Sequence, residues 1–289
     1  MATFLLQSVV NGLLTGALYG LVAVGLTVIF GVMKVINFAH GSLMMLAMYA
    51  SFWAYSLLHM DPYATLVISV PLLFVLGALM QKFLIAPLLD APEHNQLLLT
   101  LGVALFLENG ALLAFKADPR VMQSAYLGVN FYVGDLTLKL VHLIAFGASA
   151  AITGLLYLLL NRTDLGKAIR AAAEERTGAI LMGIDVKRVF WISFGIGSAC
   201  VAAAGTLIAP FFPIDPHVGS LFVIIAFVVV VLGGMGSFLG AFAGGLIVGV
   251  GESVGAMFLS GSLKQMVTYV LFVLILLFRP SGLFGKRAG

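Results

Sequence analysis

The chain alternates between apolar runs about as long as a bilayer is thick and short polar interruptions. Taking runs of about 20 residues as helices, spans are predicted near 9–31, 41–58, 63–82, 97–115, 139–160, 189–211, 218–233, 239–259 and 265–279. The seventh is short, so eight and nine crossings both fit. The fold class is all-α: a polytopic transmembrane helical bundle with some discontinuous helices, forming a single transmembrane domain over 1–289.

One interruption stands out. Asn37-Phe38-Ala39-His40-Gly41-Ser42 lies between two long apolar runs, and polar backbone with an imidazole at membrane depth is costly unless it lines a cavity. It therefore reads as a route for something polar. Late in the chain, Phe227 to Leu232 leads through Gly233-Gly234-Met235-Gly236-Ser237 into another apolar helix. Both are breaks followed by a small-residue restart. Paired as the corresponding breaks of an internal repeat, they point to a midplane binding region where half-helix ends offer free N–H and C=O groups. The expectation is that the two breaks meet and form a hydrated corridor.

Two glycine ladders recur at four-residue spacing, Gly12-Gly16-Gly20 early and Gly236-Gly240-Gly244 late, the latter followed by Gly245 and Gly249. In an apolar helix this bares one face for close helix approach. A nucleotide-binding reading of Gly249-Val250-Gly251-Glu252-Ser253-Val254-Gly255 fails, because the spacing is wrong and no strand precedes it.

Composition agrees with a bilayer as the solvent. Hydrophobic residues make up 62% and charged residues 9%, with mean hydropathy +1.13, whereas a soluble surface needs roughly 25–35% charge. Cys200 is the sole cysteine, so no disulfide forms within the chain and a buried thiol is expected. Met1 to Val10 holds no basic residue and the apolar stretch runs on to Gly31, which predicts a retained first span rather than a cleaved signal. Arg162, Lys167, Arg170, Arg176, Lys187 and Arg188 cluster in one loop, and Arg279, Lys286 and Arg287 in the tail. The positive-inside rule makes both cytoplasmic, which puts the N-terminus outside.

Several side chains could carry function, and most have two readings. His40 either meets a solute or packs against a neighbouring helix, while Asn37 and Ser42 either contact a solute or cap backbone groups freed beside Gly41. Glu108 and Glu252 are acids inside apolar spans, which face a pathway or a structural partner. With Thr100, Gly233, Gly234, Gly236 and Ser237 they form the candidate translocation set. In the loop 161–188, Thr163 or Asp164 caps a first alanine-rich helix. Glu174-Glu175-Arg176-Thr177 then opens a second, ending at Gly183. Such a knob fits either a groove of another protein or a merely solvated basic loop.

At these residues the chain closely resembles the inner-membrane permease subunits of bacterial ABC importers for branched-chain amino acids. The matching stretches are Ile36 to Met45, Gly166 to Ala171 with Met182-Gly183-Ile184, Val231 to Ser237, and Arg279-Pro280-Ser281-Gly282-Leu283-Phe284-Gly285. The resemblance implies a multi-pass permease domain in the inner membrane, a second related permease subunit, two ABC ATPase subunits and a periplasmic solute-binding protein. Arg170, Ala171, Glu174, Glu175, Gly178 and Gly183 then become the ATPase-coupling residues. Close relatives carry urea, short amides or other small organic solutes, so the cargo is less specified than the family. No Walker-type phosphate loop occurs; ATP and Mg belong to the partner ATPases, and this subunit is expected to be non-catalytic, with no cofactor, no metal and no nucleic-acid partner.

Two rivals differ in kind. A self-sufficient secondary transporter predicts transport by the chain alone. An intramembrane enzyme would use His40 and the glutamates, but no nucleophile elbow or His-Glu-x-x-His motif appears.

Overall fold

The computed structural model describes residues 1–258, 264–279 and 281–285; the predicted span end at residue 259, Pro280, and Lys286 and Arg287 of the basic tail lie outside them. Among the described residues eleven α-helices follow in order: α1 Ala2–Met33, α2 His40–Leu58, α3 Leu66–Met80, α4 Glu93–Phe115, α5 Leu140–Arg162, α6 Asp164–Glu174, α7 Arg176–Leu181, α8 Val186–Ile208, α9 Val218–Gly233, α10 Phe238–Gly255 and α11 Lys264–Phe278. Seven are long and apolar enough to cross a membrane: α1 to α5, α8 and α10. Two shorter apolar helices, α9 and the Met266–Phe278 part of α11, complete the nine expected segments. The chain is an all-α polytopic membrane protein.

Boundaries follow local chemistry. Asp185 Oδ1 accepts from Arg188 N–H at 3.0 Å, so α8 starts three residues before the predicted 189. Asp61 Oδ1 accepts from Tyr63 N–H (2.9 Å) and fixes a turn, which delays α3 to Leu66. One element was not anticipated. Asn130–Val133 (β1) and Leu136–Lys139 (β2) pair antiparallel across Gly134-Asp135, a two-residue loop whose Gly134 has φ 59°. The hairpin is tied to the start of α1, where Gln7 Nε2 donates to the Thr137 carbonyl and Gln7 Oε1 accepts from Thr137 N–H, both at 2.9 Å.

These contacts sort the loops into two ends. The hairpin end gathers the N-terminus, the α2–α3 turn and the α8–α9 connection, where Arg120 and Ile214 exchange backbone hydrogen bonds of 2.8 Å. The opposite end carries α6, α7 and the tail, whose Leu283 and Phe284 N–H groups reach the carbonyls of Leu232 and Gly233 at the end of α9 (2.8 and 3.1 Å).

The glycine ladders do what their spacing predicts. A Cβ on Gly12 would lie 2.6 Å from the Val250 Cα, and one on Gly16 would lie 2.7 Å from the Gly245 carbonyl. Thus α1 and α10 pack antiparallel, backbone against backbone.

The internal repeat is present, but its halves pair differently from expectation. Helix α3 packs along α8 as α10 packs along α1; α2 crosses to α8 as α9 crosses to α1; and α4 flanks α2 as α11 flanks α9. Helices α1 to α4 therefore correspond to α8 to α11, and since α1 runs from the hairpin end while α8 runs toward it, the repeat is inverted. The break before α2 corresponds to residues 209–217 before α9, and not to Gly233–Ser237. At the centre Gly41 and Gly219, the second residues of α2 and α9, touch backbone to backbone. The starts of these two helices meet at the centre of the bundle, while the Asn37–Ser42 and Gly233–Ser237 breaks come together only around an apolar pocket.

Candidate functional site

Segment 34–39 returns from the end of α1 to a helix start well inside the bundle. His40 sits level with Val22, eleven residues or about 16 Å before the end of α1 at 1.5 Å per residue. Backbone that is neither helix nor strand survives there only if its polar groups are met by protein or water. Protein meets them here. Thr100 Oγ accepts from Phe38 N–H (3.3 Å) and lies 3.0 Å from the Ile36 carbonyl. Asn37 Oδ1 accepts from Ala39 N–H (3.1 Å) and Ser42 Oγ donates to the Ala104 carbonyl (3.4 Å). His40 Nε2 donates to the Val22 carbonyl at 3.0 Å. Asn37, His40 and Thr100 have no exposed surface at all.

The polar corridor expected between the two breaks is replaced by an apolar pocket. Val35, Ile36 and Phe38 of one break and Met235 of the other line a cavity of about 220 Å³, walled otherwise by Leu26, Phe30, Leu97, Phe227, Val230 and Val231. Phe38 and Phe227 rings pack at 5.0 Å. Burying apolar side chains at a break is favourable by about 25 cal/mol per Å² wherever water would otherwise reach them. In lipid the gain is close packing that holds the re-entrant backbone.

Cavities with polar side chains lie elsewhere, one bounded by α9, α10 and α11 and two on the face made by α1, α5 and α10. At the hairpin end, a cavity of about 510 Å³ is lined by Asp215, His217, Ser220, Glu252, Thr268 and Tyr269 among apolar residues. A second, of about 410 Å³, shares Phe212, Leu221, Ile225 and Glu252 with it and adds Thr15, Tyr19, His142 and Ser253. At the opposite end, Thr27, Gly31, Tyr157, Asn161, Arg170, Gly236 and Ser237 surround about 330 Å³. Each of α1, α5 and α10 lines the 410 and the 330 Å³ cavity, and between the two levels Gly20 of α1 packs against Phe242 of α10.

Glu252 and Glu108 both belong to this geometry. Tyr19 Oη donates to Glu252 Oε2 at 3.0 Å; the two side chains lean toward their own helix N-termini, which in an antiparallel pair points them at each other. Glu108 pairs with His217 Nδ1, linking α4 to the residue before α9. The sequence reading missed Tyr19, His142, Asp215, His217 and Thr268. For Tyr19 a signal existed, since it continues the Gly12-Gly16 face that meets α10. His217 offered none, because its partner lies 109 positions away.

Of the glycine-turn residues, Gly236 and Ser237 reach the α6 end cavity, and Ser237 Oγ accepts from Gly240 N–H (3.2 Å) to cap α10. Gly233 and Gly234 are buried under the tail, Gly234 at φ 99°.

The two short helices form as expected. Thr163 Oγ accepts from Gly166 N–H at 3.1 Å and Glu175 Oε1 from Thr177 N–H at 3.0 Å. Arg170 reaches back to the Leu160 carbonyl and to Asn161 Oδ1, so its guanidinium fastens α6 onto α5. The Lys167 ammonium, 2.9 Å from Asp164, holds that carboxyl below its ordinary range. Ala171 is half-buried, while Glu174 and Glu175 are exposed and Gly178 lies on α7. Gly183, at φ 80°, ends α7. Beside it Leu181 and Met182 are more than four-fifths exposed and Ile180 is 54% exposed. Arg176 ties the α7 start to Asp90 (2.8 Å).

A bundle built as an inverted repeat, with cavities at both ends of three shared helices and an apolar knob at one end, is the architecture of a polytopic membrane protein of the permease class. Residues 8–276 match the family model of the branched-chain amino acid transport system permease component. The chain is 32% identical to the high-affinity branched-chain amino acid transport system permease protein BraD of Pseudomonas aeruginosa, covering 97% of this chain and 96% of that one. It is equally similar to LivH of Escherichia coli (32%; 98% and 96%), and 30% identical to a probable LivH of Methanocaldococcus jannaschii (92% and 88%). The chain belongs to this permease family.

Proposed function

We propose that this chain is the membrane-spanning permease subunit of an ABC importer for branched-chain amino acids in a bacterial inner membrane. It works with a second related permease subunit, two ATPases and a periplasmic solute-binding protein. The carrying observation is the pair of cavities of about 410 and 330 Å³ on α1, α5 and α10, one toward each end, with the α1–α10 contact between them. A zwitterion costs several kcal/mol or more to bring into hydrocarbon, and alternating exposure of such cavities removes that cost.

The basic residues of loop 161–188 favour the α6–α7 end as cytoplasmic, which makes the hairpin end periplasmic and the C-terminal tail cytoplasmic. The Ile180-Leu181-Met182 tip then faces the ATPases as an apolar plug for a groove. Arg170 and the Glu175 cap hold the two helices rigidly enough to pass ATPase motion to the bundle. ATP and Mg act in the partner subunits.

The test is uptake of labelled leucine into proteoliposomes holding the permease pair, the ATPases and the binding protein. ATP-dependent accumulation is expected. Equal accumulation by this chain alone, without ATPases, would establish a secondary transporter instead.

A further inference from the structure

We infer that the solute crosses between the 410 and 330 Å³ cavities along the α1–α5 seam, where the hydroxyls of Thr27, Ser149 and Thr153 hydrogen-bond its charged ends in passing. This rests on the transport reading above and names the middle of the route. Helices α1 and α5 run in the same direction, and α5 packs chiefly along α1, burying one face made of Val141, Ala145, Ser149, Thr153 and Leu156. His142 lines the hairpin-end cavity and Tyr157 the other, about 22 Å apart along the helix. Ser149 and Thr153 are the polar side chains of that stretch, and on α1 Thr27 lines the second cavity.

All three side chains are buried, and their hydroxyls have no partner, not even the helix carbonyl one turn back. Elsewhere the bundle pairs such groups: Ser51 with Thr65, Ser69 with Thr206, and Ser198 with the Phe194 carbonyl. Among the described residues the buried, unpaired Ser and Thr hydroxyls are these three and Ser193, so the cost of unmet hydroxyls falls mainly on one seam. A visiting polar group removes it. A hydroxyl both donates and accepts, so one row serves ammonium and carboxylate alike and carries no fixed charge to hold the solute back. The seam also lies where force arrives, because Arg170 fastens α6 to the Leu160 carbonyl near the end of α5, and Gly166 packs directly on the Leu159 and Leu160 carbonyls. A pull on α6 therefore moves α5 against α1.

Removing the hydroxyls tests the seam. In proteoliposomes holding the assembled transporter, Ser149→Ala and Thr153→Val should each lower the leucine uptake rate about tenfold, for one hydrogen bond to a charged group lost in transit. Thr153→Ser should keep most of the rate. The Tm in detergent should stay or rise, because neither hydroxyl holds a neighbour in the resting fold. A second measurement needs no uptake. Thr153→Cys should be protected from a small methanethiosulfonate in the resting complex and lose that protection during ATP turnover, read as an adduct on this chain by mass. The parent chain, whose one cysteine is the buried Cys200, is the blank. Full uptake by the Ser149→Ala/Thr153→Val double variant, a lower Tm in either single variant, an equal defect in Thr153→Ser, or a thiol that stays protected during turnover would each overturn the route along this seam and leave the transport reading standing. Absence of ATP-driven uptake by the parent complex would overturn the transport reading instead, with thiol exposure still reporting on the seam.

Discussion

The two wings of the inverted repeat have the same architecture and opposite linings. In the first, α3 and α4 enclose a cavity of about 620 Å³ walled by Leu76, Leu79, Met80, Phe83, Leu84, Leu99, Gly102, Val103, Phe106 and Leu107. Its outer helix turns Leu98, Phe106 and Leu113 outward, each more than three-fifths exposed. In the second, the space bounded by α9, α10 and α11 holds Asp215, His217, Glu252 and Thr268. Inverted duplication thus places a hollow on each side of the central helices. Side chains alone decide that one hollow is lined by apolar residues while the other holds two carboxylates, an imidazole and a hydroxyl.

Substitutions can break that comparison, beginning at the axis both wings share. Gly41→Val drives a branched side chain into the Gly219 backbone, which cannot yield because both helix starts are buried. A destabilisation above about 4 kcal/mol is expected, seen as loss of the monodisperse species in detergent size exclusion; a stable variant would mean that the two wings are not locked at this point. Next comes the asymmetric knob. Glu175→Lys removes the α7 cap, at about 1 kcal/mol, and reverses charge beside the apolar tip, so leucine uptake should collapse while ATP hydrolysis continues. Gly178→Trp should act the same way, and normal uptake by both variants would reject the docking role.

Thr100→Val tests the first wing's hold on the re-entrant segment. Leaving Phe38 N–H and the Ile36 carbonyl without their hydroxyl partner should cost about 1–3 kcal/mol, measured as a lower Tm in detergent. His40→Ala should reduce uptake partially with assembly intact; complete loss of turnover would revive a catalytic reading of the imidazole. The smallest effect belongs to the lipid-facing wall. Phe106→Ala should change stability by no more than about 0.5 kcal/mol and leave uptake untouched, whereas a transport defect there would show that the apolar hollow also serves the solute.

Much of the architecture was legible. Nine apolar runs, the Thr163 and Glu175 caps and the packing use of Gly12 and Gly16 follow from hydropathy, capping chemistry and residue size, all of which act within a few positions. The acid pattern singled out Glu252, which the fold places against Tyr19 at the edge of a cavity. Less legible was the break at Asn37. Its polarity signalled exposed backbone, yet Thr100 and Ala104, more than sixty positions away, satisfy it from α4. The β1–β2 hairpin was missed although Gly134-Asp135 between strand formers is a turn signal, because the apolar pattern on either side dominated the reading.

Hydrophobic period and length therefore determine how many times this chain enters the bilayer and where each helix stops, since those are local balances of solvation and backbone hydrogen bonding. Which breaks face each other, and which polar groups share a cavity, was decided only on packing. Tyr19 and Glu252 are 233 positions apart, and what joins them is the close approach of α1 and α10 within an inverted repeat.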